Sequence, residues 1–107
     1  MKDSTRIRIR NFVRERDWDQ FHNPKDLAIA LSIEASELLE SFLWKDHQQV
    51  DIGDVRHELA DILIYTHMLL DKYGLDSDEI VNEKIGINEQ KYPVDVSRGK
   101  STKWNKL

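Results

Sequence analysis

Glu34 and Glu37 stand three residues apart inside the apolar run Leu31-Ser32-Ile33-Glu34-Ala35-Ser36-Glu37-Leu38-Leu39. Glu58 and Asp61 repeat that spacing inside His57-Glu58-Leu59-Ala60-Asp61-Ile62-Leu63-Ile64-Tyr65. Three residues is close to one helical turn, so each pair shares a helix face, and Tyr65, four beyond Asp61, extends the second face by another turn. Two antiparallel helices joined by a short connector can bring the pairs opposite each other. Four carboxylates converging there repel one another, and burying them ionised and unpaired is costly. No Lys or Arg lies on these faces at a helical step, so either a cation sits between the acids or their pKa values rise. A hard divalent ion with all-oxygen ligands is the simplest neutraliser: Mg²⁺ first, with Mn²⁺ as a substitute. For either pair alone, the simpler reading is the exposed edge of an amphipathic helix. Two pairs on consecutive apolar helices favour the metal site.

A Mg²⁺ held by carboxylates keeps positions open for water and phosphate oxygens. Lys84, Asn88 and Lys91 recur at i, i+4 and i+7, beside Ile80, Val81, Ile85 and Ile87. Alone, that stripe is a solvated face; near a carboxylate-bound metal it reads as contacts to a polyphosphate. Glu34 or Glu37, partly desolvated among other acids, would then have the raised pKa a general base needs near neutral pH.

Four helical segments must position these residues, and an all-α bundle follows. The first runs from about Ser4 to Asp17, with Ile9, Phe12 and Val13 on one face. The aromatic connector Trp18-Asp19-Gln20-Phe21-His22 breaks the periodicity, and Asn23-Pro24 reads as an N-cap followed by proline at the first helical position. The second helix continues to about Trp44. The third begins near Asp54 and ends at Gly74, a left-handed stop. The fourth opens at Asp76, with Glu79 at capping-box spacing, and stops at Pro93.

With 107 residues the chain is read as one domain, 1–107, whose residues 94–107 form a basic tail. Over residues 1–90 there are 11 Lys+Arg against 19 Asp+Glu; over 91–107, five cations face only Asp95. An acidic body excludes broad binding to a nucleic-acid polymer, which wants a basic folded surface. No apolar run approaches the roughly 20 residues of a membrane span. The arginine-bearing N-terminus lacks the apolar stretch of a secretory signal. With no cysteine there is no disulfide framework or thiolate nucleophile, and the cytoplasm is the default compartment. So small a chain, with its second and third helices apolar around more than half their circumference, calls for further helices from a second copy, hence a homodimer.

The ordered set Glu34-x-x-Glu37, Glu58-x-x-Asp61 resembles the signature of the MazG-like, all-α nucleoside triphosphate pyrophosphohydrolases, relatives of the dimeric dUTPases. Further matches are to the dCTP pyrophosphatase branch: Arg14 to Pro24, Phe42-Leu43-Trp44-Lys45, Asp61-Ile62-Leu63-Ile64-Tyr65, Lys91-Tyr92-Pro93-Val94 and Ser97-Arg98-Gly99. The resemblance spans roughly residues 9–104 and implies a four-helix bundle completed by homodimerisation, often as paired dimers forming a tetramer. It implies that Glu34, Glu37, Glu58 and Asp61 bind Mg²⁺. The implied reaction cleaves a nucleoside triphosphate, with dCTP or a modified dCTP first, to the monophosphate and pyrophosphate in nucleotide-pool sanitation. By matched position, Trp18, His22 and Trp44 would line the base pocket, while Tyr65, Lys84 and Asn88 would contact sugar or phosphate. Trp18 has the alternative of anchoring the connector, His22 of satisfying backbone beside the second helix, and Trp44 of covering the core. Ile33 departs from the pattern, standing where many relatives carry another Glu, and so does Trp104, in a place that is often Tyr. The rival reading is a non-catalytic helical interaction module whose acids meet a basic partner. A carboxylate oxygenase bundle is set aside, because neither Glu34 nor Glu58 has His three residues later.

Overall fold

The computed structural model describes residues 1–107, and every regular element in it is helical. The elements are α1 (Asp3–Glu15), α2 (Pro24–Glu40), α3 (Ile52–Tyr73), α4 (Ser77–Lys91) and the four-residue α5 (Val94–Ser97), with 3₁₀ turns at Asp19–Phe21 and Trp104–Lys106. No helix is long and apolar enough to cross a membrane.

The caps follow from local chemistry. The Asn23 side chain accepts from the Asp26 backbone N–H at 2.9 Å, with Pro24 in the first turn, where its missing N–H costs nothing. Asp51 accepts from Gly53 N–H at 2.8 Å and opens α3 slightly before the expected Asp54. Asp76 accepts from Glu79 N–H at 3.0 Å and opens α4. Gly74, at φ 62, closes α3 in the left-handed region that glycine enters without penalty.

One boundary differs from the sequence expectation. α2 stops at Glu40, four residues before Trp44. Phe42 N–H bonds Leu39 C=O at 2.9 Å and Leu43 N–H bonds Glu40 C=O at 3.2 Å, tightening the chain into i→i−3 turns. Trp44 then takes φ 62, which ends any helical continuation. The apolar periodicity through Phe42 and Leu43 hid this break.

The chain divides into two compact units, Met1–Gly74 and Leu75–Leu107. In the first, α2 lies along α3 and α1 packs on α3. Val13, Leu27 (1% exposed) and Met68 form the core, with Ile9, Ile64, Tyr65 and Leu69 packed against it. His67 is also buried, and burial pushes its imidazole below its ordinary pKa. Consecutive residues of α3 tether the rest. Asp71 receives a two-pronged contact from the Arg10 guanidinium of α1, both distances 2.8 Å, and Lys72 donates to Asp19 of the connector at 2.8 Å. The core is thin for the apolar content: Ile29, Ile33, Leu39, Leu59 and Leu63 remain exposed.

In the second unit α4 is followed by short helical turns where the sequence reads as a basic tail. There the Lys91 ammonium sits 5.2 Å from the centroid of the Trp104 ring.

Candidate functional site

The inward stripe of α2 runs Leu27, Leu31, Glu34, Leu38, so the helical repeat that buries Leu27 also turns Glu34 towards α3. From α3, Glu58 meets it. Glu34, Glu37 and Glu58 each offer a carboxylate oxygen, and these oxygens all lie within 4.8 Å of one another. Glu34 and Glu58 are half-buried, and the Oε2 atom of each is shielded from solvent without a hydrogen-bond donor. No Lys or Arg forms an ion pair with any of the three.

The electrostatic consequence is large. Loss of solvation first, then contact with Glu37 and Glu58, pushes the Glu34 carboxyl from 4.5 up to about 7. Glu58 is raised as well, chiefly by the same loss of solvation, with the charges of Glu37 and Asp61 adding to it. Carboxylates in mutual contact bond only if a proton is shared between them. Two shielded acceptors without donors, in an all-oxygen set, fit a hard divalent cation well, and nitrogen or sulfur donors that would select another metal are missing from the set.

The other expected residues are distributed as follows. Asp61, one turn after Glu58, is exposed and outside the 4.8 Å cluster, although its charge still raises Glu34 and Glu58. Tyr65 is half-buried against the Val13–Leu27–Met68 core. His22 lines a cavity of 550 Å³ together with Arg10, Arg14, Asp19, Met68 and Lys72. The Trp18 ring stands edge-on to Phe12, with centroids 5.6 Å apart and planes at 78°, and its centroid is 6.5 Å from that of His22. Trp44 is 100% exposed, so the alternative that it covers the core does not hold. Lys84 and Asn88 lie one turn apart on α4, in the second unit.

Sequence reasoning missed the supports of Trp18. The Arg16 guanidinium carbon lies 3.8 Å over the Phe12 ring and 6.0 Å from the Trp18 centroid, while the Trp18 backbone N–H donates to Val13 C=O at 3.1 Å. Phe12 and Arg16 are four apart on α1, a spacing that does predict their contact. Nothing local predicts that Trp18 folds back onto the pair.

Comparison with known proteins gives a consistent set of relatives. The MazG-like family model matches residues 29–107. dCTP pyrophosphatase 1 of Rattus norvegicus is 38% identical over 104 residues, covering 90% of this chain and 61% of the relative. The Homo sapiens protein of the same name is 36% identical over 104 residues, with the same shares. The chain thus spans less than two thirds of the length of these relatives. Among solved structures, a pyrophosphatase from Archaeoglobus fulgidus superposes with a TM-score of 0.74 at 38% identity, covering 79% of this chain and 85% of its own.

Proposed function

We propose, because this chain belongs to the MazG-like family, that it hydrolyses a nucleoside triphosphate between the α- and β-phosphates, releasing the monophosphate and pyrophosphate. The observation that carries this reading is the convergence of Glu34, Glu37 and Glu58 oxygens, with two shielded acceptors lacking donors. The dCTP pyrophosphatase names of the similar curated proteins support dCTP as substrate; a 5-modified dCTP, nucleotide-pool clean-up and a cytoplasmic location are carried by the sequence alone.

Glu34, Glu37, Glu58 and Asp61 would hold Mg²⁺, or Mn²⁺ in its place. Bound there, the ion would offset the charge of the triphosphate and of the leaving pyrophosphate. Glu34 or Glu37 takes a proton from a water aligned on one phosphorus of the α–β bridge. The water oxygen bonds to that phosphorus as the P–O bond to the bridging oxygen breaks, and the electron pair of the broken bond leaves on the bridging oxygen of the departing group. Trp18, His22 and Trp44 offer aromatic surface to the base, and Tyr65 is assigned to sugar or phosphate on the motif match. Lys84 and Asn88 are assigned to phosphate or sugar on the motif match alone. Stacking surfaces discriminate modestly, by about 1–3 kcal/mol per small group, so preference among pyrimidine nucleotides is graded. The apolar side chains left exposed on α2 and α3 support self-association as a homodimer, with paired dimers giving a tetramer.

The test is pyrophosphate release from a panel of ordinary and modified deoxynucleoside triphosphates, in Mg²⁺ and in EDTA. Mg²⁺-dependent release, strongest with a cytosine nucleotide, is expected. Silence across the panel from folded protein moves the reading to a non-catalytic interaction module.

A further inference from the structure

Residues 16–23 join α1 to α2 without a regular ladder. Their backbone bonds are local: Asp17 N–H to Arg14 C=O at 3.0 Å, Phe21 N–H to Trp18 C=O at 2.9 Å, and His22 N–H to Asp19 C=O at 3.1 Å. Burial holds the segment weakly, since Trp18 is 42% exposed and Phe21 64%. Local turns of this kind keep their own shape without fixing their place on the rest of the fold. The tie to α3 spans 53 residues of sequence: Lys72 Nζ, in the last turn of α3, donates to Asp19 Oδ1 at 2.8 Å. The lysine side chain is largely covered, while Asp19 is open to solvent. Lys72 is the first cause that holds the Asp19 carboxyl below its ordinary pKa. Both side chains line the 550 Å³ cavity that His22 borders.

We infer that Lys72 is a positioning residue for nucleobase binding: through Asp19 it fixes the connector so that Trp18 and His22 are set to receive the base. The inference rests on the hydrolytic reading given above. The path is short. Asp19 directly follows Trp18, and its carbonyl holds the His22 N–H, so a shift of Asp19 passes to both rings within one 3₁₀ turn. An exposed ion pair adds little to global stability, yet it biases a local equilibrium about two- to fivefold. Affinity falls with the fraction of molecules whose connector is in place, so the consequence belongs in KM rather than kcat. The neighbouring contact between Arg10 and Asp71 differs in kind, because it joins two helices that already pack on each other.

The experiment is a double-mutant cycle of Lys72→Met, Asp19→Ala and the two combined. It is read by pyrophosphate-release kinetics on dCTP and by amide exchange in the nucleotide-free protein. Each variant should raise KM about threefold with kcat little changed, and the combination should raise it no further. Lys72→Arg, which keeps the charge, should restore the wild-type KM. The His22 amide should exchange about two- to fivefold faster in both single variants and the combination, while the Met68 amide in α3 stays as protected as in wild type. A general loss of stability would speed Met68 as well. A direct contact between Lys72 and the nucleotide would make Lys72→Met cost more than Asp19→Ala. Either result overturns the inference, and so does an unchanged His22 amide. A wild type that releases no pyrophosphate overturns the hydrolytic reading and the link from Lys72 to substrate with it; that failure is recognised because the difference in His22 exchange persists.

Discussion

Removing one carboxylate from the acid cluster should stabilise the metal-free protein, and the sign depends on pH. The perturbation is Glu34→Gln, which keeps the shape and removes the titration. In the folded wild type this carboxyl is raised from 4.5 to about 7, so between those values the folded state binds more protons than the unfolded state. Stability therefore falls as pH rises from 4.5 to about 7 and stays low above that. Taken in full the shift corresponds to about 3 kcal/mol, and screening at a half-exposed site reduces it to about 2 kcal/mol. For a domain of this size that is a Tm difference of about 10 °C. The assay is thermal unfolding of both proteins in EDTA from pH 4.5 to 8.5. His67, raised in stability contribution as pH climbs towards 6.5 because it is buried uncharged, gives an opposing slope in both proteins, so their difference cancels it and reports Glu34 together with its contact to Glu58. The variant should match wild type near pH 4.5 and exceed it by about 10 °C at pH 8. Adding Mg²⁺ should raise the wild type strongly and the variant weakly. A wild type as stable as Glu34→Gln at pH 8 in EDTA would refute the claim that these acids strain the fold.

Three further outcomes follow from the structure. Glu37→Gln or Asp61→Asn should abolish pyrophosphate release while circular dichroism keeps its helical spectrum; near-wild-type turnover in either variant would sink the metal-centre argument. Arg16→Gln should free the Trp18 ring, raising KM for a cytosine nucleotide severalfold with kcat little changed, and should shift the Trp18 indole N–H resonance even without nucleotide. Asp71 is held below its ordinary 3.8 chiefly by the hydrogen bonds from Arg10, so its contribution is present above that value and lost as pH falls through the folded pKa. Asp71→Asn should accordingly cost about 1 kcal/mol in urea unfolding at pH 7 and little in strong acid.

Much of this molecule is legible in its sequence because the relevant physics is local. Asn23-Pro24, Gly74 and Asp76 are capping residues whose side chains or backbone act within three positions, and they mark their helix boundaries closely, whereas Asp51 opens α3 ahead of the expected Asp54. The two acid pairs are legible for the same reason: a three-residue step puts each pair on one helix face, and their repetition on consecutive apolar helices is what points beyond an amphipathic edge. The end of α2 is not legible, because Phe42 and Leu43 continue the apolar rhythm while the backbone has already tightened and Trp44 has turned left-handed. Nor is the link between Arg10 and Asp71, 61 residues apart, or the aromatic group in which Trp18 folds back on Phe12 and Arg16. Such contacts depend on how α1 lies on α3, which periodicity does not specify. Likewise, spacing alone puts Asp61 with the other acids, whereas the fold leaves it outside the tight trio of Glu34, Glu37 and Glu58.

Because α3 carries Glu58 near one end and Met68, Asp71 and Lys72 towards the other, it works as a ruler within the first unit. Ten residues from Glu58 to Met68 amount to about 15 Å of helix, held by main-chain hydrogen bonds over the whole length. The interval between the acid trio and the cavity lined by His22 is thus a covalent count of residues, and no rotamer change resets it. A single-residue insertion between Tyr65 and Met68 would rotate everything beyond it by about 100° and lengthen the interval by about 1.5 Å. Both tethers, to Arg10 and to Asp19, would swing away with it. Whatever molecule bridges the two places must therefore match a length that the chain wrote into one helix.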